Sequence, residues 1–287
     1  MAKHPASEVK IGLLGGSGLI GQDLAAEAPS LGIEVEIFSR SSGPLGTFQE
    51  YSSLRDFEDL DALVNLVGGH KAADFESTAE DQLRIDNLAS AWAVRMDRPY
   101  IYMSSGSIFE KGSFPVNSST PVPKEEGFAT YSSLKRFIEN RHNEARKKGV
   151  PISDLRLFSF SGERFIRDGG YFLSQIFASC QSGSRFTPRG DEFTRDYVGS
   201  AEIWQAVLGI CNTQSIPKFN LFSGSPINRN DVFEIFAVAF PSWIQTLNES
   251  PTRDSDLYYA CSENQLPCYS PRSSHGAIQN SLKSLLG

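Results

Sequence analysis

Apolar runs and amphipathic stretches alternate along the first 160 residues of the chain. Val9–Leu14 is an apolar run that predicts a buried strand, and Leu19 to about Ala28 has the apolar spacing of a helix. Ile33–Phe38 alternates apolar and acidic residues, a period of two that predicts another strand. Further strands are predicted at 62–67, 99–103 and 152–160, and further helices at 78–95 and 131–148. This alternation is typical of an α/β fold with a parallel sheet covered on both faces.

The second half of the chain has a less regular pattern. Residues 161–194 are rich in glycine and contain one helical stretch, Tyr171–Cys180. Other elements are predicted as helices at 200–212, 230–240 and 278–286, and as a strand at 218–222. We therefore expect a sheet domain from residues 1–160, completed by about 195–225, and a smaller C-terminal lobe from 161–194 and 226–287.

Composition narrows the class of protein. Hydrophobic residues make up 40% and charged residues 21% of the 287, as in ordinary soluble globular proteins. The formal net charge is −7, without the basic stripe that a general nucleic-acid binder needs. The apolar run at 10–20 is short and broken by glycine, so it predicts neither a membrane span nor a signal peptide. We expect a cytoplasmic protein with no nucleic-acid or membrane partner.

The cysteines and histidines do not have the spacing of a metal site or a disulfide framework. They are few and scattered, and no CxxC pair occurs. The residues concerned are Cys180, Cys211, Cys261, Cys268, His4, His70, His142 and His275. We expect no bound metal.

The first motif with chemical content is the segment Gly15-Gly16-Ser17-Gly18-Leu19-Ile20-Gly21. It follows a predicted strand and opens a predicted helix, which is the context that a dinucleotide site requires. Glycine permits a tight turn and lets backbone N–H groups approach a pyrophosphate at the positive end of the helix. A purely structural turn is the alternative use of these glycines.

A second motif, Tyr131-Ser132-Ser133-Leu134-Lys135, lies on a predicted helix. Positions 131 and 135 share a helix face, so the Lys135 ammonium can approach the Tyr131 phenol and favour its ionised form. A lowered tyrosine pKa suits proton transfer at neutral pH. The alternative is an amphipathic surface pair.

The third element is Met103-Ser104-Ser105-Gly106-Ser107, which ends a predicted strand. Hydroxyl groups at the carboxyl ends of parallel strands lie where open α/β sheets bind ligands. A polar exit from the strand into a loop is the alternative.

Together these three elements resemble the extended short-chain dehydrogenase/reductase superfamily, the NAD-dependent epimerase/dehydratase family of sugar-nucleotide enzymes. Four later segments match the family pattern in the same order, although Ser159 stands where asparagine is common. These segments are Leu155–Gly162, Thr194–Val198, Phe219–Gly224 and Ser270-Pro271 with the last helix. The resemblance implies a Rossmann-type doubly wound parallel sheet with a smaller substrate-binding lobe.

The resemblance also implies roles for individual residues. Tyr131 would be the general acid/base, Lys135 would hold the nicotinamide ribose, and Ser105 would bind the reacting carbonyl or hydroxyl. Arg195 would meet the diphosphate of a nucleotide-sugar, a task suited to a forked guanidinium, with a structural salt bridge as its alternative. The remaining implied contacts are Ser107 for the substrate, and Gly15, Ser17, Gly18, Leu19, Ile20, Gly21 and Leu66 for the dinucleotide.

Departures from the family pattern separate its activities. The residues after Ser105 are Gly106 and Ser107, where the dehydratases carry an acidic pair, so a 4,6-dehydratase is disfavoured. Segments 74–77 and 107–110 resemble the 4-ketosugar reductase branch.

The end of the second strand indicates which dinucleotide binds. In NAD-binding versions of this fold an acidic residue there contacts the ribose hydroxyls and repels a 2′-phosphate. Here the strand runs into Ser39-Arg40-Ser41, and Glu36 lies too early, inside the strand. Arg40 can grip phosphate oxygens, unless it is only a solvated loop residue. We expect a preference for NADP(H), with NAD(H) as the alternative.

The predicted activity is the NADP(H)-dependent reduction of a keto group on a nucleotide-activated deoxysugar. A nucleotide-sugar epimerase with tightly held NAD is the first alternative. A non-catalytic dinucleotide-binding regulator is the second, although such proteins commonly lose the tyrosine or lysine that this chain keeps. The expected partner is a nucleotide-sugar substrate, and a homodimer is one possible assembly.

Overall fold

A computed structural model describes residues 9–39, 57–68, 75–110, 112–117, 119–125, 127–188, 192–213, 216–243, 256–258, 266 and 269–287. Its helices are α1 (Leu19–Glu27), α2 (Phe75–Met96), α3 (Tyr131–Arg146), α4 (Glu163–Asp168), α5 (Phe172–Ser182), α6 (Ser200–Thr213), α7 (Arg229–Ala239) and α8 (Ser274–Leu286). No helix in these ranges combines the length and hydropathy needed to cross a bilayer.

The central sheet is parallel and has six strands within the described residues. These are β1 (Val9–Leu14), β2 (Ile33–Phe38), β3 (Ala62–Asn65), β4 (Tyr100–Ser105), β5 (Ile152–Leu157) and β9 (Lys218–Leu221), in the spatial order β2-β1-β3-β4-β5-β9. The chain passes from β1 to β2 on one side and then returns to β3 on the other. The crevice beyond the carboxyl ends of β1 and β3 is therefore the topological switch point, where open α/β sheets bind ligands. The Rossmann-type fold is confirmed.

Successive strand residues enter hydrophobic clusters on opposite faces of the sheet. In β1, Leu13 belongs to the cluster under α1 and α6, and Leu14 to the cluster under α2 and α3. Each cluster contains a buried tryptophan whose indole N–H donates to a backbone carbonyl, Trp204 to Leu24 and Trp92 to Phe57, at 2.9 and 2.8 Å. Because both faces are covered, β3 and most of β1 and β4 are apolar. The edge strand β2 alternates with glutamate, and β5 carries buried polar side chains.

Outside the central sheet, the described residues form smaller sheets and a third hydrophobic cluster. β7 (Phe193–Arg195) pairs with β10 (Ile227–Asn228) and β11 (Asp256–Tyr258), and β6 (Ser159–Phe160) pairs with β8 (Tyr197–Val198). Helices α5, α7 and α8 contribute most of the apolar side chains of this cluster. The proposed boundaries between sheet domain and lobe stay a prediction.

Some elements differ from the sequence prediction. The strand predicted at 62–67 ends at Asn65, whose side-chain oxygen accepts the Val67 N–H at 3.0 Å and turns the chain. The strand predicted at 152–160 is divided at Phe158, because β6 leaves the main sheet to pair with β8. The short helix α4 lies in the glycine-rich segment, where no helix was predicted.

One buried ion pair connects α3 to the sheet. Arg156 of β5 donates to Glu139 of α3, with Nη2 2.7 Å from Oε2, and both side chains are almost completely buried. The Ser104 hydroxyl donates to the same carboxylate at 2.6 Å. An ionised group in the interior needs such partners, because its desolvation costs several kcal/mol.

We expect Arg156→Met to lower the free energy of unfolding by about 3–5 kcal/mol, because it leaves the Glu139 carboxylate buried without its cation. The double variant Glu139→Gln/Arg156→Met should lose much less of its free energy of unfolding. Urea denaturation measures the free energy of unfolding of both variants. Lys147→Met removes an exposed pair with Glu144 and is the matched control, with no measurable change in midpoint. An Arg156→Met midpoint equal to that of the wild type would contradict the assigned role of this pair.

Candidate active site

The glycine segment makes a tight turn at the carboxyl end of β1. Gly15 has a φ of +75° and donates its N–H to the Phe38 carbonyl at 2.8 Å, while Gly18 donates to Gly15 at 3.0 Å. A Cβ at Gly21 would lie 2.4 Å from the Gly16 Cα. Glycine at 21 therefore lets the first turn of α1 pack directly on the loop.

The start of α1 fits the pyrophosphate of a dinucleotide. Gly18 is the N-cap residue, and no side chain caps the helix. The first N–H groups of a helix lack partners within the helix and carry its positive partial charge. Ser17 lies in the same loop and shares a short hydrogen bond with Ser39 at the end of β2.

Tyr131 and Lys135 occupy the first turns of α3. Thr130 caps this helix, and its hydroxyl accepts the Ser133 N–H at 3.2 Å. The Lys135 ammonium is buried, donates to the Met103 carbonyl at 2.9 Å, and lies 5.5 Å from the centroid of the Tyr131 ring. Burial lowers the pKa of Lys135 to about 8, although nearby carboxylates oppose this shift. The ammonium thus stands beside the phenol, as the motif predicts.

Ser105 is the last residue of β4. Its hydroxyl accepts the Ser107 N–H at 3.1 Å and caps the short 3₁₀ turn Gly106–Ile108. The Ser107 hydroxyl is buried and has no hydrogen-bond partner among the described residues.

A cavity of about 600 Å³ lies at the carboxyl ends of β1, β3, β4 and β5. Most of the predicted site residues line it, namely Gly15, Gly18, Leu19, Ile20, Gly21, Leu66, Ser105, Tyr131, Lys135 and Arg195. Ser17 and Ser107 are not among the lining residues, and Arg40 lies outside the described residues. One cavity therefore joins the glycine loop to the tyrosine–lysine pair.

Arg195 reaches this cavity from the end of β7. Its guanidinium lies 5.0 Å from the centroid of the Phe193 ring. The next residue, Asp196, is fully buried and accepts the Ser223 N–H at 2.6 Å. The Arg-Asp pair is thus divided between the cavity and the core.

The family model described as the NAD dependent epimerase/dehydratase family matches residues 11–221. The chain belongs to this family. The resemblance drawn from the motifs is confirmed, and so is the prediction of an NAD(P)-dependent enzyme of the extended short-chain dehydrogenase type.

Solved structures of other proteins share the fold of this epimerase/dehydratase family member over nearly its whole length. The UDP-N-acetylglucosamine 4-epimerase from Bacillus cereus has a TM-score of 0.76 at 20% identity, covering 98% of this chain and 97% of that one. The UDP-glucose 4-epimerase from Thermotoga maritima has a TM-score of 0.75 at 16% identity, covering 96% and 98%. The hexosamine 5,6-dehydratase TunA, of tunicamycin biosynthesis, has a TM-score of 0.75 at 18% identity, covering 96% of both chains. The comparison with curated proteins found no match.

The site of this family member also has an aromatic wall that the sequence analysis did not predict. The aromatic residues that line the cavity are Phe158, Phe160, Phe165, Tyr171, Phe172 and Tyr197. Phe165 and Tyr171 stack with ring centroids 5.0 Å apart and planes 9° apart. The position of Phe158 and Phe160 just after β5 was the available signal, since ligands bind beyond strand ends.

Phe158 also occupies the space beside Gly106. A Cβ at Gly106 would lie 2.4 Å from Cδ1 of the Phe158 ring. Phe158 is in turn packed against Phe109 and Phe114, with both pairs of ring centroids 6.3 Å apart. A side chain at position 106 would therefore require this aromatic cluster to move.

We expect Gly21→Ala to weaken dinucleotide binding and to destabilise the fold by about 1–3 kcal/mol, because its methyl group would overlap the Gly16 backbone. Calorimetric titration with NADPH and with NADH, together with thermal unfolding, measures both effects. Gly127→Ala is the matched control, since nothing lies within 4 Å of its added carbon. A Gly21→Ala variant with the affinity and Tm of the control would show that the loop does not need this close approach.

Proposed function

We propose that this enzyme reduces a keto group on a nucleotide-activated deoxysugar with NADP(H). The observation that carries the proposal is the single cavity that holds Ser105, Tyr131 and Lys135 together with the glycine loop. The loop and the start of α1 would hold the pyrophosphate, and Lys135 would hold the nicotinamide ribose. The bound dinucleotide would supply the hydride for the carbonyl carbon.

The chain's own residues would supply the proton that the reduction consumes. Ser105 would donate a hydrogen bond to the carbonyl oxygen, and Tyr131 would deliver its phenolic proton to the same oxygen as the alcohol forms. The Lys135 ammonium would stabilise the resulting phenolate. Arg195 would bind the diphosphate, because a guanidinium presents paired donors to phosphate oxygens.

The contact between Gly106 and Phe158 supports reduction over dehydration. Removal of water from the sugar needs a second acid/base, which the dehydratases carry as an acidic residue at this position. Here the position is glycine, and the Phe158 ring fills the space that a side chain would need.

Epimerisation is the second candidate, because it uses the same tyrosine and lysine. Among the structural neighbours, the two 4-epimerases act on UDP-sugars by their names, and MoeE5 is described in complex with UDP-glucose and NAD. These neighbours support a nucleotide-sugar substrate for this chain, and they support epimerisation to the same degree.

A non-catalytic regulator is disfavoured, since the tyrosine–lysine pair and its cavity are intact. We also propose a cytoplasmic location, from the composition and apolar pattern of the chain, and a homodimeric assembly.

The first experiment is a screen of nucleotide 4-ketosugars in which the oxidation of NADPH is followed at 340 nm. We expect turnover by the wild type, and a loss of about two to four orders of magnitude in Tyr131→Phe with nearly unchanged NADPH affinity. Tyr269→Phe makes the same chemical change outside the cavity, at a hydroxyl that donates to the Phe222 carbonyl, and should keep its turnover.

The state of the purified protein and its turnover also distinguish a reductase from an epimerase. An epimerase should purify with bound dinucleotide and convert a nucleotide-sugar without net oxidation of added NADPH. A Tyr131→Phe variant as active as the wild type would remove the assigned proton donor from either mechanism.

A separate prediction concerns the choice of dinucleotide. Arg40 follows the second strand directly after Ser39, and no acidic residue occupies that point. We expect the wild type to have a higher kcat/KM with NADPH than with NADH, and Arg40→Ala to lose most of this preference, because the guanidinium would bind the 2′-phosphate. Steady-state kinetics with both cofactors measures it. Equal use of both by the wild type, or a preference that survives the substitution, would contradict the role of Arg40.

A further inference from the structure

His142 lies on the buried face of α3, between two carboxylates. Its side chain is almost fully buried, with Nδ1 2.6 Å from Oδ1 of Asp154 and Nε2 2.8 Å from Oδ1 of Asp86. Ionised carboxylates only accept hydrogen bonds, so both ring nitrogens must donate. A histidine that donates from both nitrogens carries a positive charge.

The two carboxylates are held in turn by other elements. Asp86 of α2 accepts the Tyr100 hydroxyl of β4 at 2.7 Å, and Asp154 of β5 accepts Nη2 of Arg146 at 2.9 Å. Asn65 of β3 donates to the Tyr100 hydroxyl at 2.9 Å. The network therefore connects α2, α3 and three neighbouring strands.

This network reaches the wall of the cavity at two places. The Asn65 side chain that contacts Tyr100 also accepts the N–H of Val67, which lines the cavity. On α3, His142 lies seven residues after Lys135, which is two helical turns or about 10 Å on the same face. A displacement of α3 at His142 would thus be transmitted to Lys135 and to Tyr131 beyond it.

We propose that His142 is a positioning residue, whose imidazolium between Asp86 and Asp154 holds α3 against α2 and the sheet and so fixes Tyr131 and Lys135 in the cavity. No motif of the sequence contains this contact, because its partners lie 12 and 56 residues away along the chain.

The charges around His142 favour its protonated form. Burial acts to lower the pKa of His142, but the charges and hydrogen bonds of Asp154 and Asp86 outweigh it and raise the pKa to about 9. Burial likewise acts to raise the pKa of Asp154, which His142 and Arg146 nevertheless hold below its usual value. The titratable or charged groups around the imidazole are Asp86 from α2, Tyr100 and Tyr102 from β4, Asp154 from β5, and Lys135, Glu139 and Arg146 from α3 itself.

The sign of the pH dependence follows from these pKa values. The folded state keeps the His142 proton up to about pH 9, whereas the unfolded chain releases it near 6.5, so stability from this group falls as the pH rises between them. Lys135 has the opposite effect, but only above about pH 8, because its folded pKa is lowered to that value. Between pH 6.5 and 8, the change of stability with pH therefore reports on His142.

The first test needs no substrate and is a titration of the histidine rings by NMR in the full chain. We expect one imidazole to stay protonated well above pH 8, and this signal to vanish in His142→Gln. The equilibrium constant for unfolding should rise by up to about tenfold per pH unit between 6.5 and 8 in the wild type, with a smaller rise in the variant. Four histidine rings that all titrate near their ordinary pKa would overturn the proposal.

The second test is kinetic and rests on the proposed function. We expect His142→Gln to lower kcat by at least about tenfold and to move the alkaline limb of the pH–kcat profile to higher pH, because the unbalanced carboxylates would stabilise the Lys135 ammonium. Arg141→Gln changes an exposed residue next to His142 and should keep the wild-type profile. An unchanged kcat, or a lower kcat with an unmoved alkaline limb, would overturn the positioning role.

If His142→Gln does not fold, Asp86→Asn provides a second test of the network. It removes one carboxylate and keeps an oxygen that can accept from Tyr100, so the pKa of His142 should fall toward its ordinary value in the same NMR titration. A His142 signal unchanged by Asp86→Asn would contradict the network. The NMR results stand even if no nucleotide-sugar is reduced, so the failure of one proposal is distinguishable from the failure of the other.

Discussion

Charged side chains on the buried face of α3 must find charged or polar partners in the sheet and in α2, because unpaired interior ions cost several kcal/mol each. This face presents Lys135, Glu139, His142 and Arg146 at spacings of three and four residues. Glu139 meets Arg156, and His142 and Arg146 meet Asp154. Lys135 donates to the Met103 carbonyl and lies 4.4 Å from the centroid of the Tyr102 ring. The register of α3 on the sheet is thus set by directional contacts in addition to hydrophobic ones.

The same contacts decide where the chemistry can take place. Tyr131 begins α3 and stands at the cavity because the rest of the helix is anchored behind it. The glycine loop also lies at the cavity. It does so because β2 is added on one side of β1 and the chain then crosses to add β3 on the other side. Two independent features therefore bring Tyr131 and the glycine loop together, namely the paired charges of α3 and the order of the strands.

The residues after β5 give the cavity a different surface from the glycine loop. Their contribution to the cavity is largely aromatic, and the stacked pair Phe165 and Tyr171 forms part of it. Arg195 brings a cation to this wall. An aromatic wall beside a guanidinium suits a ligand that combines flat or apolar parts with a negative charge.

The sequence alone determined the elements and motifs that depend on near neighbours. The period of apolar residues located the strands and helices of the sheet, and the i, i+4 spacing of Tyr131 and Lys135 placed both on one helix face. Strand order, the meeting of His142 with Asp86 and Asp154, and the contact of Phe158 with Gly106 were decided only by the tertiary structure. Local patterns repeat within a turn or a strand and can be seen in one segment of chain. Contacts between distant segments depend on which side chains the packed layers bring together, and one sequence without its fold does not specify those pairs.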